Sequence, residues 1–291
     1  MRFGARIAAA FRAEPTILGI VEKTGEEDPV LQALQKARDI LSDYQLKAEL
    51  ITKAGSPVAE IVKRTREGSY DLVVVGAVRK TTRDPFWRSV DTRWMSGSAY
   101  KIIEVIEPPV LVVIGEPAGL RRIVICTSGA AHADAAVAFA GEIAGHMNAV
   151  VDLLHVTPEP PAMYADLIRL EEDTDRLLAS SSRLGRTLRR QKELLEETGV
   201  FGEFRLRHGP VVPEVLRELR RTEYGLVVVG SASAKDKMRQ YVMGDVTREI
   251  VNHAELPVLV LRTGPKQLKR RFGDLLDSLF RRPDELPALP E

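Results

Sequence analysis

The chain repeats itself, and that repeat limits what it can fold into more than any other feature. Gly55 and Gly209 lie 154 positions apart, and each opens a helical segment that runs into an apolar strand. The first reads GSPVAEIVKRTREGSYDLVVVGA from Gly55 to Ala77, the second GPVVPEVLRELRRTEYGLVVVGS from Gly209 to Ser231. Without a gap, Glu60 meets Glu214, Tyr70 meets Tyr224, and LVVVG meets LVVVG. Further along, EPPVLVVI (107–114) returns as ELPVLVLR (255–262). Upstream, FGARIAAAFRAEPTILGIV (3–21) returns as FAGEIAGHMNAVVDLLHVT (139–157). Three blocks in one order predict two copies of one unit, at 1–116 and 117–263, followed by a tail at 264–291. A hydrophobic share of 44% over 291 residues suffices for two cores.

The second copy reads as strands alternating with helices. Strand one is Arg122–Cys126, helix one about Ala133–Asn148, and strand two Val150–Val156. A long helix is expected over about Ala162–Gly199, where Leu167, Leu170, Leu177, Leu178, Leu184, Leu188, Leu194 and Leu195 recur at helical spacing. Strand three, Phe201–Arg207, alternates apolar and charged residues and reads as an edge. Helix three is Pro213–Thr222, strand four Leu226–Val229, helix four about Val246–Ala254, and strand five Pro257–Leu261. Uninterrupted β-branched runs in strands one, four and five call for burial on both faces. The alternation predicts an α/β fold of two tandem doubly wound parallel sheets. Met1 aligns with Val137, which predicts a first copy without strand one. Either the true start lies upstream or the chain is a fragment, or another segment or a partner chain fills the gap.

The pattern IVICTSG, HADAAVAFAGEIA, VDLLHV, HGPVVPEVLREL, YGLVVVGS and MGDVTREIVNHAELPVLVLR resembles the universal stress protein family over about 3–114 and 121–262. The resemblance implies a Rossmann-like fold akin to the adenine nucleotide alpha hydrolases. It implies a stress-response module that binds ATP or has lost it, and no established reaction. In that family a glycine ends strand four and opens the loop Gly-x₂-Gly-x₉-Gly-Ser/Thr. Such glycines admit phosphates close to the backbone, and the helix beyond presents free N–H groups to them.

Against that pattern the second copy keeps Gly230, has Ser233 for the second glycine, and reaches Gly244 after ten residues instead of nine. Asp245 holds the hydroxyl position, with Val246 following; a carboxylate there is expected to cap helix four and to repel phosphate. Ser128, next to Gly129, takes the place of the family aspartate after strand one, and Val156 ends strand two beside it. The first copy has Gly76 and Arg79, then a long insertion before an intact Gly97-Ser98. Its loop is therefore the better candidate for ATP, with Mg only as the companion of ATP. The insertion holds both tryptophans, Trp87 and Trp94, among arginines, a composition suited to an anionic ligand or a protein partner.

Other chemistry finds little support. Net charge is +1, so nothing points to nucleic acid or to an anionic membrane. The single cysteine, Cys126, excludes an internal disulfide and fits a cytoplasmic setting. The five histidines lie on different elements, and no nucleophile–base pair is evident. His155, in a strand, reads as a core or ligand-rim residue. The tail carries an amphipathic pattern from Leu268 to Phe280, expected to pack on the domains or at a dimer interface. Strand five of each copy, Pro109–Val113 and Pro257–Leu261, is the expected surface for self-association or a protein partner. The chain thus reads as a non-catalytic, dimer-like signalling protein; the alternative is a cytosolic regulatory tandem detached from a membrane transporter.

Overall fold

The computed structural model describes residues 1–22, 25, 27–76, 80–81, 93–94, 97–115, 119–130, 133–157, 174–232 and 240–263. In the first half, helix α1 (Arg2–Ala10) leads into strand β1 (Thr16–Val21), then α2 (Glu27–Asp43), β2 (Glu49–Ala54) and α3 (Pro57–Glu67). Strand β3 (Val73–Gly76) follows, then a small antiparallel pair, β4 (Lys80–Thr81) with β5 (Arg93–Trp94). Helix α4 (Gly97–Val105) and β6 (Val110–Val113) close this half. The second half runs β7 (Arg122–Thr127), α5 (Asp134–Met147), β8 (Val150–Thr157), α6 (Thr174–Ala179) and α7 (Arg183–Glu197). It continues through β9 (Phe201–His208), α8 (Val211–Arg221), β10 (Leu226–Ala232) and α9 (Gln240–His253) to β11 (Val258–Thr263).

One seven-stranded sheet crosses both halves in the order β3-β6-β11-β10-β7-β8-β9. All its pairings are parallel except β6 with β11, where Val110, Leu111 and Val112 face Val260, Leu259 and Val258 in antiparallel register. Both strands of that seam have neighbours on each side, so neither leaves a free edge. Strand β9 is an edge, as its alternating sequence implies. In the first half β1 and β2 form a separate parallel pair, from Thr16 opposite Glu49 to Val21 opposite Ala54. In the second half β7 stands between β8 and β10; among the described residues no strand stands between β1 and β3. The fold is therefore two tandem doubly wound units, and among the described residues the first has no counterpart of β7.

Side chains alternate across the sheet, so each face has its own core. On one face α1 and α5 bring Phe3, Ile7, Phe139, Ile143 and Ala144 onto Leu111, Ile123, Ile125, Leu226, Val228 and Leu259. On the other, Ile102, Ile103, Ile106, Val215, Leu219, Ile250 and Val251 cover Val110, Val112, Val124, Val227, Val229, Val258 and Val260.

The repeat extends to details of the backbone. Arg12 and Asn148 both take positive φ (50° and 51°) after their helices, and Ala13 N–H and Ala149 N–H donate to Ala8 and Ala144 carbonyls. Gln45 (φ 60°) and Gly199 (φ 70°) end their helices in the same way. Leu46 N–H and Val200 N–H there donate to Leu41 and Leu195 carbonyls.

Two helix expectations need correction. The long helix is not continuous: residues 158–173 lie outside the described residues, and α6 stops at Ala179. Ser182 then caps α7, its hydroxyl accepting from Gly185 N–H at 2.9 Å. A serine oxygen competes with the helical carbonyl for that N–H, so the serine run breaks the helix beneath the leucine stripe. Helix four also begins earlier than Val246, at Gln240. Residues 240–245 include good helix formers and no proline, so they extend the helix.

Candidate functional site

In a doubly wound sheet, ligands bind beyond the carboxyl ends of the strands, where the strand order reverses. Here β7 leads outward to β8 and β9, and the chain then returns to β10 on the other side of β7. The reversal therefore lies between β7 and β10. Ser128 and Gly129 follow β7, Val156 lies near the end of β8, and Gly230 lies in β10. A Cβ on Gly230 would lie 3.7 Å from Ala136 Cβ and 3.8 Å from Ala133 Cα, so Gly230 passes beneath the start of α5. The fold thus brings these four positions to one end of the sheet.

Polar groups behind this edge are engaged with one another. Thr127 Oγ1 donates to Gln191 Oε1 at 2.8 Å and accepts from Gly129 N–H at 3.1 Å. Gln191 Nε2 donates to Asp134 Oδ1 at 2.7 Å, and Arg190 lies 3.6 Å from the other Asp134 oxygen. Thr127, Gln191 and Asp134 are all buried. Gly129 takes φ +67°, and Leu184 of α7 occupies the space a Cβ there would need. Helix α7 is thereby laced and packed onto the turn after β7. Sequence reasoning missed Gln191, Asp134 and the place of Leu184. The available signal was Gln191 itself, a polar residue in line with Leu188 and Leu195 on the apolar stripe.

His155 is buried beside the same turn, with Nδ1 2.8 Å from the Thr127 carbonyl oxygen. A carbonyl only accepts, so Nδ1 carries the proton and Nε2 is a bare acceptor. Burial lowers the His155 pKa; the Thr127 carbonyl works the other way, and nearby His208 adds to the lowering. His208 Nδ1 pairs with Thr157 Oγ1 at 2.7 Å, and its buried Nε2 has no hydrogen-bond partner. Cys126 is partly buried on β7, and desolvation pushes its thiol up to about 12, which leaves it inert at neutral pH.

The remaining candidates divide. Asp245 lies on the second turn of α9, with Gly244 before it and Val246 after it, so its backbone is inside the helix and not at the N-cap. The earlier start of α9 is the reason. Gly97 and Ser98 are the first two residues of α4, where four N–H groups lack helical partners. Gly76 ends β3, and among the described residues nothing lies within 4 Å of a Cβ placed on it. Arg79, Ser233, Trp87 and the tail lie outside the described residues, whereas Trp94 falls in β5.

The opposite end of the sheet holds a different cluster. Asp152, fully buried, accepts from Arg122 at 2.9 Å, Arg205 at 3.1 Å, Tyr224 OH at 2.9 Å and Glu203 N–H at 3.0 Å. Arg205 and Arg207 also grip buried Glu218. Burial, then the Asp152 charge, raises the Tyr224 pKa, so its proton stays in the hydrogen bond. This network joins strands and touches none of the candidate residues. A depression of about 340 Å³ between α6 and α7, lined by Asp175, Arg189, Lys192 and Glu196 among others, touches none either.

Among the described residues, no group of three or more His, Cys, Asp or Glu side chains is placed to hold a metal ion. No described helix is long and apolar enough to cross a membrane. No curated protein sequence matches the chain. Among solved structures, a universal stress protein from Archaeoglobus fulgidus DSM 4304 aligns over 90% of this chain and 93% of its own, at 16% identity and TM-score 0.63. A protein of unknown function from Pseudomonas aeruginosa PAO1 aligns over 96% and 89%, at 14% identity and TM-score 0.64. At such identities these two likenesses speak to fold alone, and they do so across both halves. The model of the universal stress protein family matches residues 119–262, the stretch in which β7 to β11 and the candidate edge lie. By that match, residues 119–262 form a domain of the universal stress protein family.

Proposed function

We infer that the chain is a non-catalytic stress-response or signalling module whose nucleotide sites are degenerate, and that it acts by binding a ligand or a protein partner. The packing of Leu184 against Gly129, backed by the buried Thr127–Gln191–Asp134 hydrogen bonds, carries this reading for the second half. A nucleoside at the β7 edge requires α7 to give way. The described residues of the β7 edge, so packed, do not fit ATP. In the first half the Gly97-Ser98 helix start suits a phosphate, but no described strand supplies a counterpart of Ser128 and Gly129. The described residues there offer ATP only a phosphate end, and Mg would enter only with it. Among the described residues, buried His155 and part-buried His208 have no activated nucleophile beside them, and no group of side chains is placed to hold a metal.

The purified chain, once denatured, is expected to release no stoichiometric nucleotide by mass spectrometry. Titration of the native chain with Mg-ATP is expected to show no micromolar binding. Co-purified ATP, or micromolar affinity lost on Ser98→Asp, would sink the degenerate-site reading and assign the first-half loop.

A further inference from the structure

His155 lies under the helix that closes the ligand edge. In the sheet it stands beside Thr127 of β7 and Leu206 of β9. Ile125, Leu153 and Phe204, two residues earlier on these strands, belong to the core under α5 and α7, so alternation turns His155 to the same face. Its Cε1 is 3.6 Å from the Cβ position of Gly129, the position that Leu184 of α7 crowds. Gln191 of α7 holds Thr127 and also reaches the Ala130 carbonyl at 3.5 Å, so α7 grips the turn on both sides of Gly129. Asp134 of α5 is already shared between Gln191 and Arg190, and a cation on His155 gains little from it. His208 of β9 is close enough to oppose that charge. Cys126 of β7 points to the opposite face, which α8, with Glu214 and Glu218, covers.

We propose that α7 is an acid-released latch: one proton taken up by His155 frees the turn after β7 from Leu184 and Gln191 and opens the ligand edge. The proposal rests on the reading that α7 closes that edge. The bare Nε2 adjoins Cε1, on the side that Gly129 and Leu184 cover. An imidazolium there has no counter-charge to spare and is costly while dry; it is stable where α7 has lifted and water reaches it. Closed α7 with neutral His155 and lifted α7 with charged His155 are then the two states, and pH sets their ratio. Burial lowers the His155 pKa, so closure is fully supported above the ordinary value of about 6.5 and loses support as pH falls. The effect is local, because α7 meets the turn through Leu184 and one glutamine, whereas β7, β10 and β11 lie deep in the sheet.

The test is backbone hydrogen exchange on the full chain at about pH 7.5 and about pH 5.5, each rate referred to that of an unstructured amide at the same pH. The Gly129 amide and those of α7 around Gln191 should open about fivefold to tenfold more often at the lower pH, about tenfold being the limit for one group of ordinary pKa about 6.5. Amides of β10 and β11 should not change. His155→Asn keeps an N–H for the Thr127 carbonyl without titrating and should abolish the pH effect; His208→Asn should leave it in place. In the unaltered chain the carbon-13 shift of His155 Cε1 should titrate with the same midpoint as the opening, which decides the matter if the variant fails to fold. Opening independent of pH overturns the proposal. So do a pH effect that survives His155→Asn, one lost in His208→Asn alone, and opening while His155 stays neutral. Leu184→Ala tests the reading beneath it: faster Gly129 exchange at both pH values upholds α7 as the cover, and no change removes the cover and the proposal together. If Leu184→Ala speeds exchange and pH does not, the proposal fails and the reading stands.

Discussion

Asp152 has its carboxylate out of water and receives four hydrogen bonds, two of them from arginines. Removing one member of such a buried cluster leaves the others unpaired, which costs far more than the cluster contributes net. Asp152→Ala is therefore expected to destabilise the chain by about 3 kcal/mol or more in urea unfolding. The first half holds the corresponding charges at the surface. There Arg64, at the position of Glu218, donates to Tyr70 at 2.6 Å and to Glu49 at 3.0 Å, and Thr16 stands where Asp152 would be. Glu49 and Arg64 remain 58% and 32% exposed, so water competes for both. Breaking this pair by Arg64→Ala should cost about 1 kcal/mol or less. His155 adds a pH effect of definite sign. Its pKa is lowered by burial, so below about 6.5 the unfolded chain binds a proton that the fold resists. The stability due to neutral His155 is fully present above that pH and is lost as pH falls. His155→Leu should flatten the loss of melting temperature between pH 7 and pH 5, whatever it does to stability at pH 7.

At the scale of elements, strands were the most legible. LVVVG, IVIC and PVLVL are continuous apolar runs suited to a strand buried on both faces; they form β10, β7 and β11, which are so buried, and β3, where Val74 is exposed. Helix boundaries were less legible, because apolar spacing shows which face is buried but not where the hydrogen-bond ladder stops. The leucine stripe continues through Leu177, Leu178 and Leu184, yet Ser180 to Ser182 interrupt the helix beneath it. Ser182→Ala removes the side-chain acceptor that caps α7 and should cost about 1 kcal/mol. Because α7 carries both Leu184 and Gln191, the substitution should also speed exchange of the Gly129 amide. The candidate edge was legible only where glycines and hydroxyls mark a strand end. Leu184 over Gly129 and Gln191 between Thr127 and Asp134 are contacts across more than fifty residues of sequence, set by how α7 lies on the sheet. Local pattern carries no trace of such an approach, apart from one glutamine out of place.

At the scale of the molecule, the two halves share one sheet through β6 and β11. Leu111 is 1% exposed in that seam opposite Leu259, and it also lies in the core that α1 and α5 build. The second half has five consecutive strands and two buried faces of its own, whereas the first has β3 and β6 on the shared sheet and β1 and β2 apart from it. Its stability must then be borrowed in large part across the seam, since a two-stranded sheet is marginal by itself. Leu111→Asp places an unpaired charge in the seam, a change of the most destabilising kind. If the first half depends on the seam, its amides in β1 to β3 should exchange through opening at low urea in this variant. Those of β7, β8 and β10 should stay protected until a second transition close to that of the parent chain. A single transition, shifted equally for both sets of amides, would mean instead that the two halves fold as one cooperative unit.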